Sequence, residues 1–539
     1  MKYLKYAAIL ATAAIILVAT LYIAGILAPK APLKIVKAYC SIDTSDWKIF
    51  RVVVLQLENP SESNVTINAV YVNGKRWNKW RPYRLIVKPG KKAYLKIYYP
   101  WNGKELKICV ETDKGKLETS VKAPVFKSVA LTVTNEGSSE VREVVCFDLF
   151  FAKGELKEPL IKVIEGESEI PVQVWGITRY DDGSIETAVL SFRISLNPYS
   201  SKSYLIVFGE VSTVVAKMPP GVIVKRVEKK YTLISNGVLV VRFNESVEGA
   251  VEYSGAIDYF GTKDLNFAKI YRPPNVTLSG LVFWHGMLCS CFEQDGRMYA
   301  ILMGAKTYID SEGPFFIVYA RKWKLRELGW AYEFYAVSTT EPYLLYRLVI
   351  QTTKDLTAGP GAGPGAHGYE FYNPSGMGRM CVPQLAVRNA EFFMIETGDL
   401  YYPDWPGVDL WIVHVVAACI DDARGVSIAL LSNDPTHSLG YWHIVTKKWP
   451  FEFRGTYWGD LIFVAGIHEH MLCYEGQDIR KEPYAVERPV VPRGGIVIRP
   501  GVYSWMFRVE SIVGKDILSR ISSIKSMLDH LKFKASLGG

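Results

Sequence analysis

At 539 residues the chain is long enough for three or four folded units of roughly 100–200 residues each. Its 49% apolar, 13% aromatic and 22% charged residues exclude a disordered, collagen-like or small disulfide-scaffold protein. The net charge of +9 suits nucleic acid only until it is located: residues 1–125 hold 21 Lys/Arg against 8 Asp/Glu, which leaves 42 against 46 for the rest. A protein that grips DNA or RNA carries its basic stripe on the working domain, so no nucleic-acid partner is expected.

Residues 7–27 contain no charge and little polarity. Twenty-one helical residues at about 1.5 Å each span about 31 Å, one bilayer core, and this length predicts a single transmembrane helix. The rival is a cleaved secretory signal, whose apolar region is shorter, about 7–15 residues, and whose cleavage site wants a small residue where Ile26 stands. Lysines flank the segment on both sides, so charge alone barely orients it. Sequons at Asn64, Asn244 and Asn275 and an even eight cysteines favour extracytoplasmic domains, giving a single-pass cell-membrane protein with residues 1–30 as cytoplasmic tail and anchor. Scarce Gln beside abundant Lys, Glu, Ile and Tyr is a thermophile-like bias.

From residue 31 to 124 short β-type runs at 50–57 and 65–72 alternate with turn residues, among them Asn73-Gly74 and Pro89-Gly90. This predicts a small immunoglobulin-like β-sandwich acting as a spacer. The run VYVNGK and the Lys-rich PGKKAYLKIYY strand resemble the membrane-proximal immunoglobulin-like modules of archaeal surface proteins. Cys40 and Cys109 flank this segment, and a disulfide between them, joining an early strand to a late one, is expected.

Residues 125–212 form a second unit, with strands expected at 129–133, 141–150 and 189–194. Its distinctive stretch, Pro171-Val172-Gln173-Val174-Trp175-Gly176-Ile177-Thr178-Arg179-Tyr180-Asp181-Asp182-Gly183-Ser184, places an Asp-Gly hairpin turn between apolar strands. Here the chain resembles the exo-rhamnogalacturonan lyase-like family, in the PxQ strand, the R-Y-x-D-G-S turn and the closing strand that ends at Gly209. The resemblance implies a small RIFT-type β-barrel, followed by a β-supersandwich that opens at Tyr231-Thr232-Leu233-Ile234-Ser235-Asn236-Gly237 and handles carbohydrate. Alternating runs at 315–320, 331–337, 344–350 and 426–431 independently predict an all-β unit over 213–510. Periodicity turns helical only in 511–539, where Ile517, Leu518, Ile521, Ile524, Met527, Leu528 and Leu531 share one face, an amphipathic helix followed by a tail.

No histidine precedes His285, seven lie between His285 and His470, and the last is His530. Because histidine titrates nearest neutrality, this asymmetry points to 213–510 as the place for acid/base chemistry. A lyase acting on uronates needs a group to neutralise the carboxylate and a base for the adjacent proton. His443, Arg454, Tyr457 and His468 supply those residue types in one stretch and are the expected catalytic set. Trp442, Trp458, His470 and His367 are the expected sugar contacts, since aromatic faces stack on sugar rings. His468 and His470 share a face if extended, yet no third ligand stands at fixed spacing, so no metal is expected; no cofactor is expected either, and nothing signals Ca²⁺. A glycosidase would instead use two carboxylates from Asp404, Asp409, Asp460 and Glu469. The tandem GPGA run from Gly359 mimics a dinucleotide motif without a following helix and is expected to be an unpaired loop. The expectation is a membrane-anchored surface protein acting on or binding an acidic polysaccharide, with a non-catalytic surface-layer or adhesive protein as the alternative. The sequence leaves the oligomeric state open.

Overall fold

The computed structural model describes residues 33–245 apart from 45–47, 78, 83–84 and 215–216; 256–265; 280–353 apart from 283–288, 295–296, 301 and 326–328; 356–358; nine strand segments at 364–365, 370–373, 378–383, 392–396, 407–411, 416–421, 426–432, 441–445 and 457–464; and 496–538 apart from 499 and 514–516. These residues are almost entirely β-strand, with one α-helix, Ile517–His530, among them. The expected membrane helix at 7–27 lies outside them, and no described helix is long and apolar enough to cross a membrane. The chain divides into two compact units, residues 1–42 with 50–126, and residues 43–49 with 127–539.

In the first unit Lys92–Tyr98 pairs antiparallel with residues 52–58 and with Trp80–Arg81. A second sheet orders Lys75–Trp77, Val65–Val72, Glu105–Thr112 and Gly115–Lys122. Inward positions build the core: Val65, Val70 and Val110 of this sheet, with a bulge between Ile67 and Ala69, and Leu55, Leu95 and Ile97 of the first are fully buried, while Lys92, Tyr94 and Lys96, alternating with Leu95 and Ile97, are exposed. The Asn73-Gly74 turn forms as expected, with both residues at positive φ, 52° and 76°, the backbone that a two-residue hairpin demands. The expected disulfide is not formed. Cys40, on Lys34–Asp43, and Cys109, on Glu105–Thr112, belong to different sheets, and both are half-buried free thiols. Cys109 stands between Tyr71 and Glu118 in its ladder, and burial pushes the Cys40 thiol up to about 11.

The second unit begins with two antiparallel sheets. In one, Val141–Phe150 pairs with Ile185–Leu196 and that strand with Val172–Arg179, while Lys48 and Ile49 run parallel to Asp148 and Leu149. The other orders Ser168–Ile170, Ile161–Glu165, Ser201–Phe208, Ser128–Asn135 and Leu531–Leu537. That last strand corrects the expected C-terminal tail. The helix ends at His530, and Leu531 opens a strand paired with Ser128–Asn135, whose Phe533 meets Phe147 edge-on at 5.2 Å. The alternation in LKFKASL is strand-like, and its period of two marks the switch. Ile524 is buried on the helix while Ser519, Arg520 and Ser523 are exposed, as its stripe requires.

A nine-stranded sheet runs through Leu302–Glu312, Phe316–Leu325, Gly329–Ser338, Tyr343–Thr352, Gly501–Val513, Val426–Ser432, Val416–Asp421, Gly378–Pro383 and Phe392–Glu396. One of its faces packs Phe316, Val318, Phe334 and Leu345 against Trp175, Cys146 and Val189. On the other, Tyr319 stacks on Phe243 of Val240–Asn244 at 3.9 Å, and Asn236 donates to the carbonyls of Ser338 and Glu341. Being covered on both sides, its middle strands read as continuous apolar runs. One loop differs from expectation: Pro364 and Gly365 of the GPGA run pair with Ser290 and Cys289. Proline still accepts through its carbonyl, so a two-residue rung is tolerated at such a short strand.

Candidate functional site

The stretch that stands out most in the sequence, around Gln173, is where the first sheets of the second unit meet the nine-stranded sheet. Gln173 Nε2 donates to Ser311 Oγ (2.9 Å) and to the Phe316 carbonyl (2.8 Å), and its Oε1 accepts from the Phe315 and Phe316 amides. Gly176, at φ 65°, interrupts the ladder beside Trp175 and turns both its backbone groups outward. Its N–H donates to Asp310 (2.7 Å) and its carbonyl accepts from Arg347 Nη1 (2.5 Å). A Cβ there would sit 2.9 Å from Arg347 Nη1, so glycine is required by both the backbone and the neighbour.

Arg347 is fully buried and also donates through Nη2 to Asp148 (2.6 Å) and Thr187 (2.9 Å), while the second oxygen of Asp148 accepts from Ser504. Asp310, nearby, is held up at about 6: burial raises it, and the Gly176 N–H and Arg347 only partly offset that. Two further buried clusters repeat the pattern. Arg321 pairs with Glu333, which also accepts from Tyr335 and Tyr346, and Arg508 bridges Glu143 and Glu510, its guanidinium 3.6 Å from the Tyr343 ring centre. The D-G-S turn is likewise architecture: Asp182 accepts from the Ser184 amide and hydroxyl, and Arg179 donates to the carbonyls of Lys157 and Gly183. None of these residues was among the expected site residues, although Gln173, Gly176 and Asp182 lie in the motifs that carried the family resemblance.

A separate five-stranded sheet holds the histidine-bearing stretch, in the order Gly280–Val282, Glu370–Asn373, Tyr457–Val464, Tyr441–Val445, Gly407–Trp411. Its registers are unbroken. His443 stands opposite Asp409 on one side and Ile462 on the other. Asp460 stands opposite Glu370, Trp458 opposite Tyr372, and Tyr441 opposite Trp411. Directly opposed residues share a face, and so do residues two apart along a strand. One face therefore holds the positions of His443, Asp409, Asp460 and Glu370, with Ile462, Val445, Val464, Val282, Gly407 and Gly280, between two aromatic pairs, Tyr441 with Trp411 and Tyr372 with Trp458. The opposite face holds Trp442, Ile444, Val408, Leu410, Leu461, Phe463, Phe371 and Leu281, all apolar, together with Tyr457, Gly459 and Asn373.

Of the expected site residues, His443 and Trp458 occupy the polar face, whereas Trp442 and Tyr457 occupy the apolar one. Arg454, His468, His470 and His367 lie outside the described residues, as do Asp404 and Glu469. Asp409 and Asp460, weighed as glycosidase carboxylates, are on the polar face. Glu370 and Tyr372 had no sequence signal of their own; only the pairing of Glu370–Asn373 with Tyr457–Val464 brings them in. Among the described residues no group of three or more His, Cys, Asp or Glu side chains is arranged to hold a metal. No protein-family model matches the chain, and a search of curated proteins finds no relative.

Proposed function

We propose that the protein is a membrane-anchored, surface-displayed protein that acts on an acidic polysaccharide by β-elimination at the five-stranded sheet. The observation that supports this is the shared face of His443, Asp409, Asp460 and Glu370, framed by the two aromatic pairs. Cross-strand neighbours have Cα atoms about 4.5–5.5 Å apart. Asp409, the cross-strand neighbour of His443, in this reading fixes the tautomer of that imidazole. In this reading Arg454, outside the described residues, neutralises the uronate carboxylate, His443 removes the proton next to it, the electron pair forms the new C=C bond, and the glycosidic C–O bond breaks. The departing oxygen takes a proton from an acid on the same face. Glu370 or Asp460 would be that acid. Tyr441, Trp411, Tyr372 and Trp458 would bind sugar rings by stacking.

The test is a screen of the protein against acidic and neutral polysaccharides. Oligomers with the ultraviolet absorbance of an unsaturated uronide at their new end are expected. New reducing ends without that absorbance would replace elimination by hydrolysis, and retention of polymer without turnover would leave a non-catalytic surface-layer or adhesive protein.

A further inference from the structure

The apolar face that joins the nine-stranded sheet to Trp175 runs along Phe316, Val318 and Ala320 and then stops: two and four residues further on, Lys322 is half-buried and Lys324 exposed. The ladders carry this rim across three strands. Lys306 stands directly opposite Lys322, Lys322 opposite Tyr332, Lys324 opposite Trp330, and Tyr308 opposite Ala320, so all share one face. Asp310, two residues on from Tyr308, reaches the same side, because its Oδ2 accepts from the Gly176 N–H at 2.7 Å. Gln351, opposite Trp330, donates to Glu186 and to the Arg179 carbonyl (3.1 Å) and so closes the rim at its other end.

The packing leaves most of these polar groups unused. Lys306, Lys322 and Lys324 are in no ion pair among the described residues. Lys322 rests on aromatic rings instead, its Nζ 4.1 Å from the centre of the Trp330 ring and 5.0 Å from that of Tyr332. Burial, and then the Lys306 charge, hold its ammonium below the ordinary lysine range. The hydroxyls of Tyr308 and Tyr332 and the second oxygen of Asp310 make no hydrogen bond among the described residues. Convergent polar groups without partners, set beside aromatic surface, are the ordinary makings of a ligand site.

Cations without counter-ions call for an anion, and the groups beside them narrow its kind. Phosphate or sulfate would take the lysines, but it would be repelled by Asp310 and would leave both phenols idle. An acidic peptide likewise brings carboxylates and no hydroxyls. A uronate unit brings one carboxylate for Lys306 and Lys322, and ring hydroxyls that donate to Asp310 and accept from Tyr308.

We propose that this rim binds a uronate unit of an acidic polysaccharide, through residues that the five-stranded sheet does not contribute. The choice of polymer rests on the polysaccharide reading above; the site itself is built from side chains that reading does not use.

The experiment takes the full chain and reads lysine acetylation by mass spectrometry, with and without trigalacturonate. Lys306 and Lys322 should acetylate several-fold more slowly with the sugar present, while Lys225 and Lys263, on the four-stranded sheet and just beyond it, should keep their rates. Poly-glutamate and inorganic phosphate at matched charge should give no such protection. In calorimetry with trigalacturonate, Lys306→Gln should weaken binding roughly tenfold, and Tyr308→Phe, which removes only the hydroxyl, about threefold to tenfold. Unchanged acetylation of Lys306 and Lys322 overturns the proposal, and so does equal protection by poly-glutamate or phosphate, which would reduce the rim to bare charge. The two readings fail separately. Protection at the rim without any turnover of polysaccharide supports this site and removes catalysis from the five-stranded sheet, whereas turnover without that protection removes this site alone.

Discussion

Two regions of the second unit use ionisable residues in opposite ways. Around Arg347 the charges are sealed: Arg347, Asp148 and Thr187 are fully buried, and the two terminal nitrogens of Arg347 donate to Asp148, Thr187 and the Gly176 carbonyl while its Nε is left without a hydrogen bond among the described residues. Such a cluster fixes how two sheets meet, and breaking it leaves buried charge uncompensated. On the five-stranded sheet, His443, Asp409, Asp460 and Glu370 share a face with aromatic positions and no described cation. The most conspicuous motifs of the sequence thus serve assembly, and the chemistry proposed above falls to strands without them.

The largest effect expected from that contrast is at His443. His443→Ala should lower polysaccharide turnover by about 10²- to 10⁴-fold, the usual contribution of a general base, with the melting temperature unchanged. Tyr457→Phe, on the apolar face, should leave turnover within about twofold of wild type. Steady-state kinetics on the same uronate substrate compares the two directly. A Tyr457 variant as impaired as the His443 variant would put the chemistry on the other face and reverse the assignment.

Next in size is the sealed region. Arg347→Met keeps the volume but strands Asp148 in the interior, which should destabilise the second unit by about 3–5 kcal/mol. Denaturant unfolding followed by Trp fluorescence reads this, because Trp175 packs in the same cluster. A loss below about 1 kcal/mol would mean that the interior relaxes around the missing charge and that the join does not depend on it.

Local rules made much of this fold legible. The strand at residues 65–72 and the strand at 141–150 match their expected bounds, and the Asn73-Gly74 hairpin forms because only those residue types accept its backbone. The C-terminal strand was hidden behind the helical stripe that precedes it, since Leu531 satisfies both periods and only its pairing with Ser128–Asn135, some 400 residues away, decides. The site was legible by residue type at His443 and Trp458 but not by face. Adjacent residues on a strand point opposite ways, so Trp442 and His443 could not both belong to one surface once the segment proved extended. Arg347 and Glu333 gave no signal at all, because a charge inside an apolar run reads as a defect until its partner strand is known.

Asp310 supplies the smallest and sharpest test of the comparison, because it is a half-buried group beside the sealed cluster, poised near neutrality. Holding its carboxyl at about 6 against an ordinary 3.8 costs the ionised protein about 3 kcal/mol at 1.36 kcal/mol per pH unit. The folded state binds this proton more tightly than the unfolded chain, so the contribution to stability is favourable below about pH 4 and is lost as the pH rises through about 6. Asp310→Asn removes the titration while its side-chain oxygen can still accept from the Gly176 amide. Its added NH₂ group needs a partner in that interior, which takes back about 1–3 kcal/mol. The net gain at pH 7.5 is therefore small, and pH dependence is the decisive reading. Relative to wild type the variant should be about 2 kcal/mol better placed at pH 7.5 than at pH 4, where part of the unfolded chain's carboxyl is already ionised. Paired unfolding curves at the two values, with Arg347 and Asp148 intact in both proteins, isolate the one carboxyl. A gap between variant and wild type that is flat with pH would show that Asp310 is ionised throughout, matched by Arg347 as closely as Asp148 is, and that the sealed region holds no group in reserve.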